Sequence, residues 1–180
     1  MLATYVDCIK EYSNGFALKK AVDNKELFKV DLGLYSDKKY EPELSIIAFR
    51  YPNAVFTLDS AFYYYGLTDY VPDKYFLATP KDAYKIRDKR VKQVFYLDKQ
   101  FDFGITEITY ENTKIKIYDK ERMLIELIRR KNKTPFDYYK EIINNYRKIV
   151  DELDMSKIEK YIKKYNNADT LLKTLQLEVF

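Results

Sequence analysis

The residue types that most enzymes use for catalysis are scarce in this sequence. It contains no histidine and a single cysteine, Cys8, so it lacks the commonest general base, the commonest zinc ligands and any Ser-His-Asp or Cys-His arrangement. Its four glycines are scattered and form neither a G-x-G-x-x-G motif nor a P-loop. Most hydrolase mechanisms and the common nucleotide-binding motifs are therefore excluded, and no cofactor and no metal are expected.

Carboxylates are the remaining candidates for acid-base chemistry. The five that could cluster in space are Asp59, Asp69, Asp73, Asp119 and Glu121. Three of them stand where the start of a helix favours an acidic residue, and the other two flank a proline turn. Cys8 is expected to be a small buried apolar residue, because no histidine is present to activate it. We therefore expect a protein that is not an enzyme, with a stand-alone carboxylate-dependent enzyme as an alternative.

Basic residues are concentrated in one segment of the chain. Lys81 to Lys92 holds six basic and two acidic residues, an excess equal to the formal net charge of +4 of the whole chain. Such a segment is either a solvated loop and strand edge or a contact for an acidic partner such as DNA, RNA or an acidic protein face. The candidate contact residues are Lys81, Lys85, Arg87, Lys89, Arg90 and Lys92.

The first 40 residues have the element order of a small DNA-binding module. Leu2, Val6 and Ile9 recur at helical spacing, a second helix is predicted for residues 16–24, and two short β-type runs follow. Helix, helix, hairpin is the order of a winged helix, although a full winged helix has three helices. The module holds 7 basic and 6 acidic residues, a weak footprint for duplex DNA. The candidate DNA-binding residues are Lys19, Lys20, Lys25 and Lys29.

The middle of the chain is predicted to contain two helices and then a sheet. Pro42 opens a helix that Pro52 stops, and Thr57 is the predicted N-cap of a short aromatic helix that Gly66 ends. Four β-type runs follow between Lys74 and Tyr118, the last two joined as a hairpin. In the aromatic helix, the tyrosine run 63–65 invites a base-stacking interpretation. Successive helical residues point in different directions, however, so core packing is favoured.

The C-terminal third is predicted to be helical. Asp119 caps a helix whose apolar residues share one face, and Thr134-Pro135 starts the next helix. Ser156 to Glu159 reads as a capping box, and Ala168 to Leu177 forms a last leucine-rich helix. The predicted fold class is therefore α+β: a small N-terminal winged-helix-like module followed by a mixed α/β domain with a small sheet and a helical C-terminal third.

The polar, proline-containing segment 36–43 is the predicted domain boundary. It separates a module of residues 1–40 from a domain of residues 41–180. No apolar run approaches the roughly 20 residues that span a bilayer, no secretion signal is recognisable, and one cysteine excludes an internal disulfide. Membrane attachment is not expected, and the cytoplasm is the expected compartment.

Two segments of the chain resemble the AbiEi family of antitoxins and transcriptional regulators. They are RYPNAVFTLDSAFYYYGLTDYVPD at residues 50–73 and IYDKERMLIELIR at residues 117–129, preceded by a wing-like LFKVDLGLYSD. The residues that match the family pattern are Tyr51, Pro52, Ser60, Ala61, Gly66 and Leu67 in the first segment and Asp119, Glu121 and Arg122 in the second. The resemblance covers about three quarters of the chain, and it covers the N-terminal module only loosely.

The resemblance implies an antitoxin of a type IV toxin-antitoxin system, the kind that acts in abortive infection and phage defence. Its functional partner would be a nucleotidyltransferase-like toxin, opposed without a stable complex. The N-terminal winged helix would repress the shared promoter by binding operator DNA. If the operator is an inverted repeat, the protein would bind it as a homodimer or cooperatively. The chain has no Gly-Ser followed by an Asp-x-Asp pair, which a nucleotidyltransferase would need for metal-bound phosphoryl transfer. The nucleotidyltransferase activity is therefore expected of the toxin and not of this chain. Because the N-terminal module is short, a DNA-binding regulator without a toxin is an alternative.

Overall fold

The computed structural model describes residues 1–180. The chain divides into two compact units, Met1–Pro52 and Asn53–Phe180. Together they contain nine α-helices, a three-stranded sheet and a five-stranded sheet, which confirms the predicted α+β fold class. None of the helices combines the length and the apolar character needed to cross a bilayer.

The first unit is built on a small antiparallel sheet. Its elements are β1 (Ala3–Thr4), α1 (Tyr5–Tyr12), α2 (Gly15–Asp23), β2 (Phe28–Asp31), β3 (Leu34–Ser36) and α3 (Glu43–Arg50). Strand β3 lies in the middle, antiparallel to both β1 and β2. The two predicted helices and the predicted hairpin are confirmed. Strand β1 was not predicted, because two residues are too few to show a period.

A small apolar core and one arginine hold this unit together. The core residues are Cys8, Leu18, Ala21 and Leu27, so the expectation of a buried Cys8 is confirmed. The Arg50 guanidinium at the end of α3 donates to the Leu32 carbonyl at 2.8 Å and lies 3.2 Å from Asp31 Oδ2. Helix α3 is therefore tied to the β2–β3 turn. The predicted boundary at 36–43 would separate the two, whereas the compact unit extends to Pro52.

The second unit contains a mixed sheet of five strands. They are β4 (Val55–Phe56), β5 (Tyr75–Pro80), β6 (Val91–Tyr96), β7 (Ile105–Tyr110) and β8 (Thr113–Tyr118), in the order β6-β5-β4-β8-β7. β5 and β6 run parallel, as do β4 and β8, and the other neighbours are antiparallel. Glu111 and Asn112, with φ of 44° and 63°, form the turn of the predicted β7–β8 hairpin.

The helices of the second unit centre on one buried helix. They are α4 (Leu58–Tyr64), α5 (Asp98–Phe101), α6 (Lys120–Arg129), α7 (Phe136–Lys148), α8 (Met155–Ile162) and α9 (Ala168–Glu178). Helix α6 packs against α4, α8 and α9 and is buried from Glu121 to Ile128. Asp119 caps it as predicted, because its Oδ1 accepts the Arg122 N–H at 2.9 Å. The helical C-terminal third is confirmed.

One predicted cap was wrong, and another stands at its predicted position without a side-chain hydrogen bond. Ser156 lies inside α8, and Asp154 caps that helix instead by accepting the N–H of Lys157 at 3.2 Å. The Asp154 carboxylate also interacts favourably with the positive end of the helix dipole. Thr57 occupies the N-cap position of α4, but its side chain makes no capping hydrogen bond. It is fully buried, with Oγ1 3.7 Å from the sulfur of Met123.

Helix α6 carries a charged pair into the interior of the second unit. The Arg122 and Glu126 side chains are both fully buried, with Nη2 3.0 Å from Oε1. Arg122 Nη2 also donates to the Gln100 carbonyl at 2.9 Å, and its guanidinium lies 3.9 Å from the ring centre of Phe103. Tyr165 Oη donates to Glu126 at 2.9 Å. Buried charges persist in proteins when they are paired in this way.

Candidate functional site

Two of the candidate DNA-binding lysines lie on α2. Lys19 and Lys20 are both exposed. The helix begins next to Asn14, whose Oδ1 accepts the Ala17 N–H at 2.9 Å, and it turns Leu18 toward the core. Neighbouring residues of a helix point about 100° apart, so the two ammonium groups occupy adjoining parts of its solvent face.

The other two lysines of that group lie outside the helix. Lys25 follows α2 in a turn with a φ of 62°, and Lys29 is exposed on β2, opposite Tyr35 of β3. All four candidate lysines therefore belong to one compact unit and reach solvent. They are spread over a helix, a turn and a strand rather than aligned on one element.

The basic segment forms the connection between the parallel strands β5 and β6. Parallel strands are usually joined by a dozen or more residues, most often through a helix. Here residues 81–90, the crossover loop, make the return without a helix. The Gln93 side chain of β6 fixes this loop: its Nε2 donates to the Tyr84 carbonyl at 3.1 Å, and its Oε1 accepts the Ile86 N–H at 2.8 Å.

Five of the six candidate basic residues in and next to the crossover loop are exposed. They are Lys81, Lys85, Arg87, Lys89 and Lys92. Arg90 differs, because its guanidinium binds both carboxylate oxygens of Asp88, at 3.0 and 2.7 Å. Its charge is therefore partly neutralised within the loop. Lys92 stands on β6, an edge strand, where a lysine also discourages pairing with another chain.

Tyr84 is a feature of the crossover loop that the sequence pattern did not reveal. Its side chain is 98% exposed, and its backbone carbonyl is held by Gln93. Lys81 and Lys85 flank it in the sequence. An exposed ring among cations is an arrangement that stacks on nucleic-acid bases or packs against a partner. The signal was a tyrosine inside a basic segment, but the 18 other tyrosines of the chain concealed it.

The five candidate carboxylates do not form a common site. Asp119 Oδ2 accepts from Tyr161 Oη at 2.9 Å, and Glu121 accepts the Asp154 N–H at 2.9 Å, so both hold the elements around α6 together. Burial raises the pKa of Asp119 above its ordinary value, and hydrogen bonds to its carboxylate partly oppose this. No three histidine, cysteine, aspartate or glutamate side chains are placed to share a metal ion.

The tyrosine run 63–65 packs against the protein. The Tyr64 ring centre lies 5.6 Å from that of Phe56 and 4.7 Å from that of Tyr110. Tyr65 Oη donates to the Tyr118 carbonyl at 2.9 Å. The three tyrosines are half-buried and pack on neighbouring side chains rather than in the core.

A cavity of about 450 Å³ lies beside α4, the end of α6 and the start of α7. Its charged lining residues are Asp59, Arg130 and Lys133. Tyr138 Oη donates to Asp59 Oδ1 at 3.3 Å. Burial raises the pKa of Asp59, and the hydrogen bond from Tyr138 and the charge of Arg130 oppose the rise. The sequence did not predict this cavity, because its lining residues come from separate segments of the chain.

No protein-family model matches the chain, and a comparison with curated proteins finds no match either. The resemblance to the AbiEi family therefore rests on the sequence segments that carry it.

Proposed function

We propose that this chain is the antitoxin of an AbiE-like type IV toxin-antitoxin system and opposes a nucleotidyltransferase-like toxin in the bacterial cytosol. Its first unit would bind operator DNA and repress the promoter that the two genes share. The observation that carries this proposal is the pair of AbiEi-like segments, residues 50–73 and 117–129.

The packing of these two segments supports the proposal. Tyr65 of the first segment donates to the Tyr118 carbonyl of the second at 2.9 Å, and the buried Thr57 hydroxyl contacts the Met123 sulfur. Segments far apart in the sequence thus share one interior.

The topology of the first unit supports the DNA-binding part of the proposal. Strand β1 pairs with β3, and β3 with β2, around two helices. Two helices followed by a hairpin, with an extra strand paired to that hairpin, have the order expected of the core of a winged helix. In such a module α2 would be the recognition helix and β2–β3 the wing. Lys19 and Lys20 would then face the major groove and Lys29 the backbone beside the wing.

Co-expression tests the antitoxin role. The neighbouring gene is expressed from an inducible promoter until growth stops, and this chain is then supplied from a second promoter. Growth is expected to resume. Continued arrest in cells that hold the folded chain at levels at least equal to the toxin would contradict the proposal.

A binding assay with the upstream DNA tests the regulatory role. Lys19→Glu/Lys20→Glu is expected to weaken binding and to reduce the slope of log K against log salt, by about 0.9 for each phosphate that the variant no longer neutralises. Lys38→Glu/Lys39→Glu, an equal charge change at exposed residues elsewhere in the same unit, is the matched control. Equal binding by the two variants would argue against α2 as the recognition helix.

A DNA-binding regulator without a toxin is the second candidate, and the same β1-α1-α2-β2-β3 order favours it. It predicts operator binding together with a harmless neighbouring gene. A carboxylate-dependent enzyme has less support, because Asp119 and Glu121 are engaged in holding α6 and α8. Asp59 lies apart from them in the cavity.

A further inference from the structure

The cavity in the second unit has the size and lining of a small-molecule site. Its volume of about 450 Å³ falls within the roughly 300–1,000 Å³ of pockets that hold small ligands. The lining includes the rings of Phe62, Phe76 and Tyr138 together with Leu127 and Pro135. Mostly apolar walls of this kind bind an aromatic or aliphatic body, and a few polar groups then fix its orientation.

The polar groups of the cavity keep unused binding capacity. The half-buried Asp59 carboxylate accepts one hydrogen bond from Tyr138, although a carboxylate offers about four acceptor sites. Arg130 forms an ion pair with Glu126, with Nε 3.5 Å from Oε2, and its side chain remains 36% exposed. Lys133 is exposed. The cavity therefore presents one acceptor and two cations to a ligand.

The backbone at the cavity is held in a strained conformation. Leu58, which also lines the cavity, has a φ of 45°, in the left-handed region that leucine rarely adopts. Such residues are concentrated at ligand sites, where the surrounding structure holds them in place. Here the strained residue directly precedes Asp59 and fixes the start of the helix that presents its carboxylate.

We propose that this cavity binds a small anion that carries a flat aromatic group. The ring lies against Phe62 and Phe76, a hydrogen-bond donor on the ring binds Asp59, and the anionic group binds Arg130 and Lys133. Guanidinium groups bind phosphate and carboxylate oxygens in pairs, which suits this role. Nucleoside monophosphates and aromatic carboxylates share the required chemistry. The inference rests on the cavity alone and does not depend on the proposed antitoxin function.

Titration calorimetry on the full chain tests the proposal with four probes. Guanosine monophosphate and 4-hydroxyphenylacetate each carry a ring, a donor and an anionic group. Benzylamine carries a ring with a cation, and inorganic phosphate carries only the anion. At least one of the first two is expected to bind saturably with a Kd below about 1 mM, and the other two are not.

Substitutions then locate the binding site. Arg130→Gln and Asp59→Asn are each expected to weaken binding by about tenfold or more, because each removes a charge-assisted hydrogen bond. Lys133→Gln changes an exposed residue and serves as the second cation variant should Arg130→Gln fail to fold. Lys173→Gln, exposed on α9, is the matched control and should bind like the parent chain. Thermal melts establish that each variant is folded.

The outcomes separate clearly. Failure of both guanosine monophosphate and 4-hydroxyphenylacetate to saturate overturns the proposal, as does unchanged affinity in the folded Arg130 and Lys133 variants. Binding of benzylamine or inorganic phosphate with equal affinity also overturns it, because the combination of ring and anion would then have no effect. The preferred probe of the first two identifies whether the natural ligand is a nucleotide or an aromatic carboxylate.

Discussion

Arg122 combines a full charge with complete burial in the second unit. Its side chain is tied to Glu126, to the Gln100 carbonyl and to the face of Phe103. Its Nε and Nη1 atoms have no hydrogen-bond partner. The pair is therefore sensitive to the loss of Arg122, because Glu126 would keep only counter-charges that are partly exposed to solvent, those of Arg129 and Arg130.

Arg122→Met should lower the free energy of unfolding by about 3 kcal/mol, the low end of the cost of breaking a buried ion pair, because Glu126 loses its fully buried partner but keeps Arg129 and Arg130. Urea denaturation of the full chain measures the change. Arg129→Met is the matched control, since Arg129 binds the same Glu126 oxygen at 2.8 Å but is 27% exposed. It should cost about 1 kcal/mol. Similar losses in the two variants would contradict the importance of burial at Arg122.

Tyr138→Phe should raise the pKa of Asp59 further. Burial already raises this pKa, and the Tyr138 hydroxyl is one of the two groups that oppose the rise. The folded chain binds the Asp59 proton more tightly than the unfolded chain, whose pKa is about 3.9. The stabilisation that comes from the bound Asp59 proton is complete below the unfolded pKa, and it is lost as the pH rises through the higher pKa of the folded chain.

In the variant this loss should extend to higher pH. A carbon NMR titration of the Asp59 carboxyl group measures the pKa, with Asp59→Asn to assign the signal. An unchanged or lower pKa in Tyr138→Phe would show that the 3.3 Å contact does not act as a hydrogen bond.

Among the elements, the start of β7 and the start of α6 meet at a single glycine. Gly104 has a φ of 71°, and its carbonyl accepts the Asp119 N–H at 2.6 Å. A Cβ at this position would lie 2.7 Å from the Cβ of Arg122. Both the backbone conformation and the close approach require glycine here.

Gly104→Ala should therefore destabilise the second unit by about 1–3 kcal/mol through overpacking, in addition to about 1 kcal/mol for the left-handed backbone. Gly66→Ala isolates the backbone contribution, because Gly66 has a φ of 66° and open space around it. Thermal and urea unfolding of both variants give the comparison. Equal losses would mean that Arg122 moves aside at little cost.

The elements with long periodic patterns were predicted well from the sequence. Helix α6 shows an apolar stripe after an aspartate cap, and the β7–β8 hairpin shows two β-branched runs around a turn. Strand β4 and helix α5 were missed, since they are two and four residues long. The burial of Arg122 and Glu126 was not predicted either. A charged residue in an amphipathic pattern normally faces solvent, but here Gln100, Phe103 and Tyr165, from separate parts of the chain, contact the pair and help to cover it.

At the scale of the whole molecule, the positions of the candidate basic residues were predictable and their setting was not. A run of lysines and arginines between two β-type segments indicates an exposed loop. The sequence did not show that this loop joins parallel strands, that Arg90 is paired with Asp88, or that Gln93 anchors it. The cavity was also invisible, because Asp59 and Arg130 come together only when α4 packs against α6.

The division into two units predicts different behaviour for two fragments. Residues 53–180 contain the five-stranded sheet and the buried helix α6, so this fragment should fold alone and unfold cooperatively. Residues 1–52 have a small apolar core and are near the size at which domains become marginal, so this fragment should be largely unfolded. Circular dichroism melts and amide NMR spectra of both fragments measure this. A disordered 53–180 fragment would contradict the prediction, because its interior would then depend on residues that the fragment lacks.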